Sequence, residues 1–233
     1  MGKNTGIEWT DSTWNPWTGC KKVSLGCKNC YMFRDKVIYG KGDPTEVVKA
    51  DLSHFYSPKR WNKPSKIFVC SWSDFFIEKA DEWREEAWGL IRDLKKHKFI
   101  ILTKRPENII SRLPIDWGSG YKNVWLGVSA ENQIWADIRI ALLLKIPAIV
   151  RFASFEPLLG PIEISESNKI DWIIVGGESG PNHRPMKESW VINIRNGCKN
   201  YGIPFFFKQW GGVQRLENGR ELEGKNYDEY PIR

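Results

Sequence analysis

Nowhere in these 233 residues does an apolar run approach the length of about eighteen that a membrane-crossing helix requires. The opening stretch, MGKNTGIEWTDSTW, lacks the apolar core of a secretory signal, so the expected compartment is the cytoplasm. There is no GxGxxG and no GxxxxGK[ST], which excludes a dinucleotide fingerprint and a phosphate-binding P-loop. HExxH and GxSxG are missing as well. Histidine is scarce: His54, His97 and His183 lie too far apart for an obvious multi-histidine metal site. His97, closing a basic helical pattern, is expected to be solvated or to face the helix dipole. Five cysteines make an odd count, and three of them fall within one short stretch. A secreted disulfide framework would spread an even number along a shorter chain.

What is present begins with charge and aromatic rings. Thirty-five Lys and Arg against 28 Asp and Glu give a formal charge of +7, and the chain carries 13 tryptophans. Positive charge with surplus rings suits nucleic acid, through phosphate contacts and base stacking, although many basic enzymes bind none.

Short apolar runs alternate with helical patterns. The runs are KIFVCSW (66–72), KFIILTK (98–104), NVWLGVS (123–129), AIVRFAS (148–154), DWIIVGG (171–177) and PFFFKQW (204–210). Near-continuous apolar character predicts strands buried on both faces, as in a parallel sheet. Between them, residues 81–97 place Trp83, Ala87, Leu90, Ile91 and Leu94 on one helical face, with an acidic start and a basic end. PENIISRL (106–113), 133–146 and 188–202 predict further helices. An earlier strand is expected near IEWTD (7–11), and an irregular connection over 41–65. Six strand–helix alternations predict an α/β fold: a partial or near-complete parallel (β/α) barrel, or a doubly wound layer. Residues 1–210 form the expected barrel domain. Residues 211–233, with Asn218-Gly219 between alternating stretches, predict a β-hairpin tail on the same domain.

Each apolar run ends in polar residues, and the carboxyl ends of parallel strands form the ligand face of such folds. Any single one of these residues could simply cap the helix or turn that follows. Six polar strand ends together predict an active site. Gly176-Gly177 allows close approach of a ligand but also simply makes a turn.

The loop TGCKKVSLGCKNCYM (18–32) brings Cys20, Cys27 and Cys30 together in sequence. Zinc with a fourth ligand such as His54 or His183, and a redox Cys-x-x-Cys pair, are both open readings. An iron–sulfur cube suits the count better, because three thiolates leave one iron with an open position. Tyr31 and Trp17 flank the loop, where packing is the expected role. Cys70 and Cys198 lie in apolar patterns and are expected as small buried hydrophobes.

A three-cysteine loop followed by strand–helix units resembles the radical S-adenosylmethionine superfamily. More closely, GIEWTDSTWNPWTGC…GCKNCYM, LTKRPEN, VWLGVSAENQ, SFEPLLGPI, IIVGGESGPNHRPM and PFFFKQWGG resemble a bacterial and phage family of uncharacterised radical-SAM-like proteins, from about residue 5 to 230. The resemblance implies a radical-SAM type of partial barrel and a [4Fe–4S] cluster on Cys20, Cys27 and Cys30. S-adenosylmethionine would sit on the open iron, a flavodoxin or ferredoxin would donate the electron, and a 5′-deoxyadenosyl radical would form. This loop departs from the superfamily in having six residues in its first gap rather than three. The superfamily's Gly-Gly-Glu turn after the second strand is replaced by Ser71-Trp72-Ser73-Asp74.

Roles follow from chemistry and strand-end position. Ser71 and Asp74 would take the methionine ammonium, and Lys104 or Arg105 its carboxylate. Ser129, Glu131 and Asn132 suit ribose hydroxyls, and Glu156 and Glu178 suit ribose or substrate. Lys208, Gln209 and Trp210 would face substrate. Lys21, Lys22, Lys28, Arg34 and Lys36 surround the loop and could line an anionic groove, so a base or sugar of nucleic acid is the first expectation for substrate. A zinc-stapled nucleic-acid-binding module and a small-molecule enzyme of barrel type are the competing readings.

Overall fold

The computed structural model describes residues 5–166, 169–214 and 216–232. Seven strands form one sheet: β1 (Ser12–Trp14), β4 (Lys66–Val69), β5 (Lys98–Thr103), β6 (Val124–Ser129), β7 (Val150–Phe155), β8 (Trp172–Gly176) and β9 (Phe205–Gln209), in that order. A two-stranded antiparallel ladder pairs β2 (Trp17–Thr18) with β3 (Val48–Lys49). The β1–β4, β4–β5, β7–β8 and β8–β9 pairs are all parallel. Sheet order follows chain order without reversal, which is the order of a partial parallel barrel; a doubly wound sheet reverses at a switch point. The helices are α1 (Tyr31–Ile38), α2 (Leu52–Phe55), α3 (Asp81–Asp93), α4 (Gln133–Leu143) and α5 (Glu188–Tyr201).

Contacts divide the chain into two compact units. The first comprises Met1–Lys22, Met32–Gly127 and Ile146–Ile149. Its core is aromatic. Trp14 lies edge-on to Phe55 and Phe99, and Trp17 stacks on Phe75 at 5.2 Å. The α3 face differs from the sequence pattern: Trp88, not Trp83, is buried with Ala87, Leu90 and Ile91, and Arg84 is buried beside them. Arg84 is accommodated because its Nε donates to the Phe75 carbonyl at 2.9 Å. The expected first strand is displaced to Ser12–Trp14, since Thr10 N–H closes a turn onto the Ile7 carbonyl. The expected helix at 106–113 is replaced by 3₁₀ turns at Pro106–Asn108 and Ile110–Arg112. Pro114 is the reason: the residue before a proline is pushed to extended backbone, and Leu113 has ψ 147°. The 41–65 connection contains β3, α2 and a 3₁₀ turn at Ser57–Arg60. His97 is fully buried, with Trp61 and Phe99 edge-on to it, so it is a core residue and neither solvated nor dipole-facing.

The second unit comprises Val23–Tyr31, Val128–Lys145 and Val150–Arg233. Trp172 anchors it, packed against Phe152, Phe206 and Tyr230. Helix α5 ends as expected on Gly202, whose φ of 64° lies in the left-handed region. The Asn218-Gly219 hairpin is corrected. Among the described residues the antiparallel bridge in this stretch is Leu222 to Lys225, while Arg215 lies outside them. Gly219 N–H donates to the Leu216 carbonyl at 3.0 Å, which centres the turn on Glu217-Asn218 rather than Asn218-Gly219, and the Asn218 side-chain amide donates to the Gly211 carbonyl at 3.0 Å. The following segment runs along β9: Phe207 N–H donates to Tyr227 and Glu229 N–H to Phe205. That pairing covers part of a sheet edge that would otherwise offer free backbone groups.

Eight of the 13 tryptophans, Trp9, Trp14, Trp17, Trp61, Trp88, Trp117, Trp125 and Trp172, are buried. The aromatic surplus therefore largely builds cores and is no sign of base stacking. No helix among the described residues is long and apolar enough to cross a membrane.

Replacing Trp172 by Ala should destabilise the protein by about 3–5 kcal/mol, since a large buried ring leaves a cavity. It would also strand the Glu229 carbonyl that Trp172 Nε1 reaches at 2.8 Å. Urea denaturation measures this; a loss well under 1 kcal/mol would contradict the packing described.

Candidate functional site

Cys20 belongs to the first unit. It follows Gly19, whose φ of 94° is left-handed and whose absent Cβ would lie 1.8 Å from the Glu46 carbonyl oxygen. Only glycine fits there. Gly19 is held from both sides: its N–H donates to Trp72 at 3.0 Å, and Ser73 Oγ donates to its carbonyl at 2.5 Å. The next anchor is a buried ion pair. Arg105 Nη1 lies 3.2 Å from Asp74 Oδ2, both side chains being nearly inaccessible. The same guanidinium donates through Nη2 to the Lys21 carbonyl at 2.6 Å and stands 3.8 Å from Cys20 Sγ. Asp74 is satisfied from all sides, by Thr103 Oγ1 at 2.7 Å and by the N–H groups of Phe76 and Lys104, each at 3.0 Å.

Cys27 and Cys30 belong to the second unit, where two further buried carboxylates hold their segment. Glu131 is fully buried and lies 3.1 Å from Arg139, which is equally buried. Its other oxygen accepts from Gly26 N–H at 3.0 Å. A side chain at position 26 would press on that carboxylate, since a Cβ would sit 3.0 Å from Glu131 Cδ. Glu178 accepts from Asn29 Nδ2 at 2.9 Å and is paired with Arg184, which also donates to the Leu25 carbonyl at 3.0 Å. Burial pushes the Glu178 carboxyl up, but the hydrogen bonds from Arg184 and Asn29 outweigh it and hold the group below its ordinary value of 4.5.

The remaining expected site residues divide into fixed and open groups. Ser71 Oγ accepts from Asn15 at 3.0 Å. Asn132 caps α4, accepting from Trp135 N–H at 3.2 Å. Ser129 Oγ donates to the Glu156 carbonyl at 3.1 Å, and Trp210 Nε1 to that of Glu221 at 2.8 Å. Glu156 is paired with Lys208, and Gln209 donates to it at 3.2 Å. The Lys104 ammonium has no partner among the described residues and is half-buried. Lys36 does not line a groove: it is buried and donates to the carbonyls of Asp43 and Glu46. Trp17 is packed in the core, its Nε1 on the Asp74 carbonyl. Cys70 and Cys198 are buried as expected; burial raises both thiols, Cys198 to about 12. Arg139, Arg184, Asn29 and Thr103 are absent from the sequence-derived set of site residues, although Asn29, Thr103 and Arg184 lie within the motifs quoted above and only Arg139 lies outside them.

Cys20, Cys27 and Cys30 are reduced thiols, each partly exposed. In kind, such thiols suit a thiophilic centre. Among the described residues, however, no three His, Cys, Asp or Glu side chains stand as an assembled metal-binding group. Fold and site thus define an α/β protein with parallel strands whose carboxyl ends grip a thiol-bearing loop. The chain belongs to the family described as protein of unknown function (DUF5131), which matches residues 4–231. No curated protein and no solved structure matches it.

Arg105→Met should cost about 3–5 kcal/mol, because Asp74 is left buried and unpaired; chemical denaturation reads the loss, and a near-neutral result would refute the anchor. A second expectation concerns pH. A lowered carboxyl stabilises the fold fully above its unfolded value and loses that contribution as pH falls through the folded one. The stability gap between wild type and Glu178→Gln should therefore be full above pH 4.5 and shrink below it. A gap that stays constant through the acid range would rule the ion pair out as its source.

Proposed function

We propose that this protein is an iron–sulfur enzyme of the radical S-adenosylmethionine type, with Cys20, Cys27 and Cys30 as cluster ligands and a base or sugar of nucleic acid as substrate. The observation that carries the reading is the anchoring of the thiol loop. Asp74 with Arg105, Glu131 with Arg139, and Glu178 with Arg184 commit buried charge to backbone atoms or neighbours of the cysteines. A buried ion pair is costly to build and is weak support for stability alone. Its use here is to fix the loop at strand carboxyl ends, the ligand face of parallel α/β proteins.

Cys20, Cys27 and Cys30 would hold a [4Fe–4S] cluster, which would supply the one-electron reduction needed to cleave S-adenosylmethionine. The chain's own residues hold and orient. Metal binding is coupled to ordering of its ligands, so a cluster would order Cys20, Cys27 and Cys30 as it binds. Lys104, with its unpaired ammonium, is the proposed clamp for the methionine carboxylate. Arg105, Glu131 and Glu178 are occupied by the loop, and Asp74 by Arg105, so all four are reassigned from cofactor contacts to loop positioning. A flavodoxin or ferredoxin is the proposed electron donor.

Anaerobic reconstitution with iron and sulfide should give a brown protein whose visible absorbance is bleached by dithionite. Added S-adenosylmethionine should then yield 5′-deoxyadenosine. Alanine at Cys20, Cys27 or Cys30 should abolish iron and sulfide binding. A colourless, zinc-loaded protein that forms no 5′-deoxyadenosine would overturn the proposal in favour of a zinc-stapled module.

A further inference from the structure

The carboxyl ends of β7, β8 and β9, all within the second unit, carry polar groups that the loop does not use. Glu156 follows β7, and Ser154 lies two residues earlier, near the end of that strand. Lys208 and Gln209 end β9. Gln209 is 1 % exposed, and its amide orientation is fixed: Nε2 faces Glu156 Oε1 at 3.2 Å, the Gly177 carbonyl at 3.3 Å and Ser179 Oγ at 3.4 Å. A flip would turn its carbonyl oxygen onto two other acceptors. The amide is therefore committed, and its Oε1 is left buried with no donor among the described residues. Ser154 Oγ, fully buried, is in the same state. Lys208 and Gln209 both reach Glu156 through Oε1, which leaves Oε2 for another donor.

Buried polar atoms without partners are rare in folded proteins and costly. Here two of them accompany a half-buried ion pair at the ligand face of the sheet. The ion pair cancels its own charge, so the group sought is neutral. The open atoms are oxygen acceptors, Glu156 Oε2 and Gln209 Oε1, so the group must bring N–H donors. Beside them the Lys208 ammonium, with three protons and one carboxylate contact, can donate to a carbonyl. Two N–H donors next to one carbonyl is the Watson–Crick edge of guanine: N2–H, N1–H and O6. Adenine and cytosine place one exocyclic amine beside a ring nitrogen acceptor, and uracil has a single N–H between two carbonyls. Enzymes that act on a base taken out of its stack read it through this same edge.

The geometry points to a guanine-edge site formed by Glu156, Lys208 and Gln209. It deepens the function proposed above by naming the base, and it rests on that reading only for the claim that the bound base is substrate. Guanosine, adenosine, cytidine and uridine are titrated separately into the purified full chain by calorimetry, before and after iron reconstitution. Guanosine should bind about tenfold tighter than each of the others. Glu156→Gln should remove most of that preference, and Lys208→Met should weaken guanosine more than adenosine, with circular dichroism checking the fold. Equal affinity for all four, binding of none, or a well-folded Glu156→Gln that keeps the preference would overturn the site. Where a variant does not fold, the four-nucleoside comparison on wild type decides alone. Nucleoside binding is read without 5′-deoxyadenosine formation, so failure here leaves the cluster proposal standing, and failure of the cluster leaves this one.

Discussion

Removing a carboxylate from water is among the costliest steps in folding unless a cation and hydrogen bonds replace the solvent. This protein takes that step three times at the ends of its parallel strands. Asp74, Glu131 and Glu178 are each buried, each paired with an arginine, and each set of contacts reaches the cysteine loop or its immediate neighbours. Apolar residues could fill the same volumes more cheaply, but they could not reach the lone pairs and N–H groups of an irregular loop. Such a loop has no secondary structure to satisfy its own backbone, so the strand ends supply the partners.

The same constraint separates two kinds of polar residue on one sheet edge. Those that hold the loop, directly or through an arginine, are saturated: Asp74 accepts from Thr103, Phe76, Lys104 and Arg105. At Glu156, Lys208 and Gln209 the partners are fewer, and acceptor atoms remain unused. Saturation suits a scaffold that must not move. Residual acceptors suit a surface that completes its hydrogen bonds only when something binds.

The regular elements were legible from pattern. The six apolar runs all became strands, because burial on both faces demands continuous apolar character that no other element shows over so few residues. Helices α3, α4 and α5 followed from periodicity. Errors collected where local and distant forces compete. Pro114 limited the 106–113 segment, and the Asn218-Gly219 signal lost to hydrogen bonds made with Gly211, Leu216 and β9. Tryptophan count misled for a similar reason: a ring useful for stacking on a base is equally useful in a core, and composition carries no address.

Cys20, Cys27 and Cys30, the polar strand ends and the α/β class are properties of order along the chain, so the sequence determined them by itself. Which polar residues remained available was decided only in three dimensions. Glu131 and Glu178 read identically to Glu156 as acids at strand ends, yet Arg139 and Arg184 claim the first two, while Lys208 and Gln209 leave Glu156 partly open. Those partners lie between 6 and 53 residues away. Pairing at that range is set by strand order and burial, which no local pattern encodes.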